Sequence, residues 1–320
     1  MGVITKWPNV FSRLEIAPGG SLIGWGGISG SQTFYVQGAG ATLPGNDGND
    51  GRSFNKPLAT ITAALGKCES MRNDVIYILN YWTAADETWP IAVNKKCVHI
   101  IGVAQPGLPF PAIAPSGTTA AFTIHEDGSY CEIAYLAING GTAGAGVSLG
   151  PASSPNNKPE GVWIHDNVFG HNWFGACLSG IDSPEYGAVS ARIERNTFLG
   201  DLCDVGGRIS GNAIDLTTTS AFHEDLQIVD NTIMGCQFAI SVFKGRAAVI
   251  TGNKVVHPDS ASGEAVYLQA GCVGCLVDDN HAMAGGDAAA SNIPFEDDTQ
   301  ADNDWGQNTS GWAAAAGPTT

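Results

Sequence analysis

The chain has 320 residues and a formal net charge of −16, with 42 glycines and only 14% charged residues. A surface of that sign repels phosphate backbones, so nucleic acid is not an expected partner; the scarcity of Lys, Glu and Arg argues against a helical protein. No run approaches the ~20 apolar residues of a membrane span, so none is expected.

Residues 1–33 begin Met1-Gly2-Val3-Ile4 and lack a charged segment followed by an apolar core, so no export signal is expected. Trp7, Val10, Phe11, Leu14 and Ile16 make this stretch too apolar for a simple disordered tail. Two readings stand side by side: an attachment arm docking on another protein or subunit, or a segment packed along its own domain.

Phe34-Tyr35-Val36 reads as a strand, and Asn46-Asp47-Gly48-Asn49-Asp50-Gly51 as a turn. That run resembles half of a calcium loop but lacks the later bidentate Glu. Leu58, Ile61, Leu65 and Cys68 fall at helical spacing and Pro57 suits a first turn, so a short helix is expected near residues 57–68. Strands follow at Asp74–Leu79 and Val98–Gly102.

From there one phrase recurs: a β-branched residue, two others, Asn, one other, an apolar residue. It is carried by Asn167, Asn196, Asn231, Asn253 and Asn280, every 22 to 35 residues. Each copy reads as two short strands with a bend at the Asn. Stacked copies would align these five amides into a ladder along the axis. Ile133-x-x-Leu136-x-Ile138 is an earlier copy with Leu in place of Asn. A third strand follows in most units: Gly146–Leu149, Ala176-Cys177-Leu178, Ala213–Leu216, Ala239–Val242 and Ala265–Leu268. Three strands per coil of about 28 residues describe a solenoid. The expected fold is all-β, a right-handed parallel β-helix of about nine coils over residues 34–285, roughly 45 Å long, with a short N-terminal capping helix. Residues 286–320 shift to Ala, Asp, Asn, Gly and Thr and read as a C-terminal tail that could cover the far end; Asn308-Thr309-Ser310 matches a glycosylation sequon by pattern only. Of the eight cysteines, most sit on or beside inward strand positions and read as small buried thiols made in a reducing cytosol. Cys272-x-x-Cys275 reads as a turn with packed thiols rather than a zinc or redox site.

Residues 34 to about 285 resemble the pectin-lyase-like right-handed β-helix proteins. The likeness rests on the Gly/Asp-rich loop, the short helix, the strand Asp74–Leu79 and the first coil ending Ile100-Ile101-Gly102. In that family the helix caps the hydrophobic end of the stack. The superfamily holds lyases, hydrolases, epimerases, adhesins and phage tailspikes, so the resemblance implies the fold more firmly than an activity. Pectate lyases of this fold carry calcium-binding acidic clusters, a catalytic Arg or Lys and a Trp-Ile-Asp-His strand. This chain has Trp163-Ile164-His165-Asp166, with the last two exchanged and no matching Arg motif. Polygalacturonases need an Asp-Asp pair with Gly-His-Gly and Arg-x-Lys; Asp278-Asp279 is present and the other two motifs are not.

No catalytic residue is therefore assigned from sequence. Trp163, His165, Asp166 and Trp173 are the candidate carbohydrate or surface contacts, because Trp163 lies between inward-pointing Val162 and Ile164 and should face outward. No cofactor is expected; a column of Asp166, Glu194, Asp230 and Asp279 could take calcium, and a solvated face is the favoured reading. The leading functional expectation is a non-catalytic structural or adhesive protein of a bacteriophage particle, in the virion as a head decoration or tailspike-like surface protein. It would be a homotrimer, fixed to other virion proteins through residues 1–33 and touching carbohydrate. The alternative is a polysaccharide lyase or glycoside hydrolase of the pectin-lyase-like fold.

Overall fold

The computed structural model describes residues 30–38, 44–80, 87–103, 110–115, 117–150, 158–171, 175–201, 208–217, 221–257, 264–284, 294–299 and 302–310. Short parallel strands stack into three long sheets that wind about one axis as a right-handed β-helix. The first sheet runs from Thr33–Gln37 through Val75–Asn80, His99–Gly102, Glu132–Ala134, Trp163–His165, Arg192–Glu194, Gln227–Val229, Val249–Thr251 and Leu276–Asp278 to Asp304–Trp305. The second runs from Ala112–Ile113 to Thr309–Ser310, and the third from Ile91–Val93 to Phe295–Asp297.

Strand alternation fills the axis. Ile76, Ile100, Ile133, Ile164, Ile193, Ile228, Ile250 and Val277 pair in register along the first sheet, and all are fully buried. Burying each such side chain contributes ~1.5–3 kcal/mol. On the second sheet Phe169 and Phe198 stack with centroids 4.8 Å apart. Near the far end Trp305 follows Val277 in register and meets Phe295 edge-on at 6.3 Å. Residues 295–297, 304–305 and 309–310 each add a strand to one of the three sheets. The winding thus continues past residue 285, into the segment read as tail; residues 300–301 and 311–320 lie outside the described residues, as do residues 1–29 of the arm.

The bend between the first and second sheets corrects the sequence reading. The left-handed residue is the one before each asparagine: Asp166 at φ 53°, Arg195 at 53°, Asp230 at 55°, Gly252 at 69° and Asp279 at 52°. Short polar side chains and glycine tolerate that conformation best. The asparagine itself turns inward, is essentially buried, and bonds along the axis. Asn196 Oδ1 accepts from the Asn167 backbone N–H at 3.0 Å and from Asn167 Nδ2 at 3.1 Å, while Asn196 Nδ2 donates to Ile164 O at 2.9 Å. The same bonds link Asn196 to Asn231, Asn231 to Asn253, and Asn253 to Asn280. The column opens where the Leu136 N–H donates to Asn167 Oδ1 and ends on Asn308, whose Oδ1 accepts from Asn280 N and Nδ2. Asn308 is thus a ladder rung, so its amide is already committed to the coil before it.

The third strand of one coil also differs. It is Ser179–Asp182, not Ala176–Leu178; Leu178 is exposed and Cys177 makes only an isolated bridge to Ile209. The helix spans Ile61–Lys67 and starts after Pro57. Thr60 caps it, accepting from Ala63 N at 3.0 Å, and Asp47 accepts from the N–H groups of Ala59 and Thr60. Glu87 accepts from Ile61 N at 2.7 Å, so the first-turn donors are met by side chains. Asp47, in the calcium-like turn, is occupied by the cap. Ile61, Ala64 and Leu65 are buried against the core.

Asn196→Ala should cost roughly 2–3 kcal/mol, because it strands the buried Asn167 backbone N–H, which bonds only Asn196 Oδ1, and takes a donor from the Ile164 carbonyl oxygen. Asn308→Ala, at the open end of the column, should cost less. Denaturant unfolding of both variants beside the parent checks this, and equal costs would contradict it.

Candidate active site

Two outward faces concentrate polar side chains. On the first sheet, Glu132 accepts from His99 Nδ1 at 2.9 Å and bonds His165 Nε2 at 2.8 Å. The other nitrogen of His165, Nδ1, lies 2.7 Å from Asp166 Oδ2. Arg195 spans Asp166 and Glu194, donating at 2.9 Å and 2.7 Å, and Arg192 donates to Glu194 at 2.9 Å. Trp163 is half-buried: its ring stacks on His165 at 3.8 Å, lies 5.6 Å from the Arg192 guanidinium, and its Nε1 donates to Glu194 at 2.9 Å. Burial pushes the Glu132 carboxyl up, but the hydrogen bonds from His165 and His99 outweigh it and hold it below the usual carboxylate range. Burial also raises Asp166, and Arg195 with His165 more than reverse it.

Trp163, His165 and Asp166 are therefore brought together, but they face one another. His165 is 2% exposed, and the polar edge of Trp163 is spent on Glu194. Trp173 lies outside the described residues. Of the acidic column, Asp166 and Glu194 are held by Arg195, while Asp230 and Asp279 are exposed bends. Asp278 accepts from the N–H groups of Asp279 and Gln307, so the Asp278-Asp279 pair forms a turn. Among the described residues no group of three His, Cys, Asp or Glu is placed to hold a metal ion.

The second polar face is the outside of the third sheet. Thr123, Ser148, Asp182, Asp215, Ser241, Tyr267 and Glu296 pair in register from coil to coil, all on the side away from the core. Thr123, Ser148 and Ser241 are nonetheless buried, so this polar stripe is recessed. Asp182 and Asp215 sit side by side at its centre, with backbones about 4.8 Å apart as in any parallel pair. Burial pushes the Asp182 carboxyl up to about 6; the neighbouring charge of Asp215 adds to the rise and a hydrogen bond from Ser148 opposes it. One Asp182 oxygen, Oδ1, is buried with no hydrogen-bond partner. An ionised carboxylate so placed is costly, and a protonated one much less so. Asp215 Oδ1 accepts from the Thr217 hydroxyl at 2.6 Å. The result is an acid that keeps its proton to a higher pH than an ordinary aspartate, next to a second carboxyl group, which is equipment for general acid–base chemistry.

Sequence reasoning missed this pair. Asp215 lies in the expected strand Ala213–Leu216 as one of its polar alternations, whereas Asp182 lies beyond the expected strand Ala176–Leu178, which ends before the observed Ser179–Asp182 begins. The available signal was two carboxyls at the same phase of the third strand in consecutive coils.

No protein-family model matches the chain, and no curated protein matches it. Solved structures it resembles include GH136 lacto-N-biosidase from Eubacterium ramulus. The selenomethionine derivative has 13% identity over 87% of this chain and 67% of that one, with a TM-score of 0.47. The native protein has 11% identity over 86% and 68%, with a TM-score of 0.34. The expectation of a non-catalytic bacteriophage particle protein is corrected here: both structures are of a glycoside hydrolase, neither is a virion protein, and nothing points to a tailspike or capsid decoration. Likeness this distant assigns no activity, which has to be argued from the chain's own side chains.

The first-sheet network makes a stability prediction. Glu132→Ala removes the acceptor shared by two buried imidazoles and should cost about 3 kcal/mol. Because the Glu132 and Asp166 carboxyls are depressed in the fold, their contribution is fully present above the ordinary carboxyl range near pH 4 and lost as pH falls through their folded values. Thermal unfolding from pH 7 to pH 3 should show a smaller acid-side decline in Glu132→Ala than in the parent; identical declines would contradict the assignment.

Proposed function

We propose that the chain is a glycoside hydrolase acting on an oligo- or polysaccharide at the recessed outer face of the third sheet. Asp182 is the general acid and Asp215 the attacking carboxylate. The observation that carries this reading is the in-register pairing of these two carboxyl groups on adjacent coils. Asp182 donates its proton to the glycosidic oxygen as the bond to the anomeric carbon breaks. Asp215 forms an ester to that carbon, and Asp182, now a carboxylate, takes a proton from the water that releases the sugar. Retaining enzymes hold their carboxyl groups about 5–5.5 Å apart and inverting ones ~6.5–9.5 Å. A spacing set by one coil rise, about 4.8 Å, suits retention. Ser148, on the coil before, bonds to Asp182, and Thr217 orients Asp215. A carboxyl pair suits hydrolysis better than elimination, for which a strong base beside the sugar ring is needed.

Reducing-sugar release from a panel of neutral and acidic glycans, read together with absorbance of unsaturated products, tests the reading. Hydrolysis without unsaturation is expected, with retained anomeric configuration by NMR. Asp182→Asn and Asp215→Asn should each lower kcat at least ~10²-fold. Since the acid must be protonated, kcat/KM should fall about tenfold per pH unit above the value near 6 that burial gives Asp182. Activity indifferent to both substitutions would overturn the assignment. A second readout needs no substrate. A carboxyl raised in the fold destabilises it once ionised, so Asp182→Asn should be more stable than the parent at pH 8, by roughly 1–3 kcal/mol, and should lose that advantage near pH 4.

A further inference from the structure

We infer that Cys272 and Cys275 form a reversible intrachain disulfide, a redox modification site at the corner where the third sheet returns to the first. Both sulfurs lie against one residue, Gly245 of the preceding coil. Cys272 Sγ accepts from the Gly245 N–H at 3.2 Å, and Cys275 Sγ contacts the Gly245 carbonyl oxygen at 3.5 Å. A Cβ at Gly245 would clash with Val242 Cγ1 at 2.8 Å and stand in ordinary contact with both sulfurs, at 3.4 and 3.5 Å, so the two sulfurs line one side of this glycine. Cys272 Sγ donates to the Val242 carbonyl oxygen at 3.2 Å, and the closeness of the two thiols holds Cys275 down to about 7 and raises Cys272. Between them Val273 is exposed and Gly274 is left-handed at φ 64°, a tight turn that folds the two half-cystines back toward each other. Both sulfurs are reduced in the structure and 1% exposed, so oxidation requires a brief opening of this turn. Of the other described cysteines, Cys68 and Cys131 are pushed up to about 12, first by burial, and Cys177 to about 11.

The chemistry is thiol–disulfide exchange with a small disulfide such as oxidised glutathione. The Cys275 thiolate attacks one sulfur of the oxidant and expels one glutathione thiolate, leaving a mixed disulfide. Cys272, on losing its proton, attacks Cys275 Sγ and expels the second glutathione. Two thiols of the protein become one disulfide, and the oxidant gains two electrons and two protons.

The full chain is incubated with excess oxidised glutathione until its composition is constant, unfolded in the presence of iodoacetamide, and mapped by peptide mass spectrometry. The expected result is a peptide containing Cys272 and Cys275 that is 2 Da lighter than its dithiol form and unalkylated, restored to two alkylations by dithiothreitol, with Cys68, Cys131 and Cys177 alkylated throughout. Cys275→Ser should abolish the 2 Da loss and leave Cys272 alkylated. Full alkylation of both residues, a persistent glutathione adduct on either, or pairing with another cysteine would each overturn the inference.

Discussion

The winding depends on one buried hydrogen-bond column. At each bend between the first and second sheets the chain must reverse direction inside a packed solenoid, and the backbone N–H there has no strand to pair with. The asparagine of the next coil supplies the acceptor, and its own Nδ2 returns a donor to the carbonyl oxygen of the coil before. Buried polar groups without such partners are expensive. A coil that slipped by one residue would break two or three bonds at once and turn its isoleucine outward. The ladder therefore fixes register, and register decides everything placed on the outer faces.

Those faces use the same alignment in opposite ways. On the first sheet, register stacks acids against bases: Glu132 beside His99 and His165, Asp166 and Glu194 beside Arg195. Each carboxylate there has a basic partner, which is how a structural network behaves, although His99 Nε2 is buried without a hydrogen bond. On the third sheet, register sets Asp182 directly beside Asp215, acid against acid. Like groups opposite one another on a sheet are destabilising, and nothing basic intervenes in the column from Thr123 to Glu296. A fold that pairs its acids with bases on one face and sets acid against acid on another, one of them with a buried oxygen left unbonded, places a perturbed carboxyl where chemistry could use it.

The asparagine phrase made the solenoid legible because it combines two requirements in six residues: inward β-branched positions and an amide that must be repeated to be satisfied. What the phrase does at the bend was not legible. Asn is a familiar turn former, so the turn was given to it, whereas the left-handed backbone belongs to residues as unlike as Arg195, Asp230 and Gly252. The end of the solenoid was hidden for a related reason. Asn308 lacks the β-branched residue three positions earlier and was seen only as a sequon, yet it is the last rung. The carboxyl pair is harder to read for a third reason: Asp182 and Asp215 belong to coils of unequal length, so their common phase emerges only when the two third strands are correctly aligned. Trp163, His165 and Asp166 were found as a group because they are adjacent in sequence, but their side chains are engaged with Glu132, Glu194 and Arg195.

The most direct test of the account is a side-chain carboxyl NMR titration of Asp182 in the parent and in Asp215→Asn, which needs no knowledge of the substrate. The account predicts an apparent pKa near 6 in the parent, lower in the variant once the neighbouring charge is gone, though still raised by burial. A titration in the ordinary aspartate range, unmoved by Asp215→Asn, would show that the coils do not set these two carboxyl groups side by side.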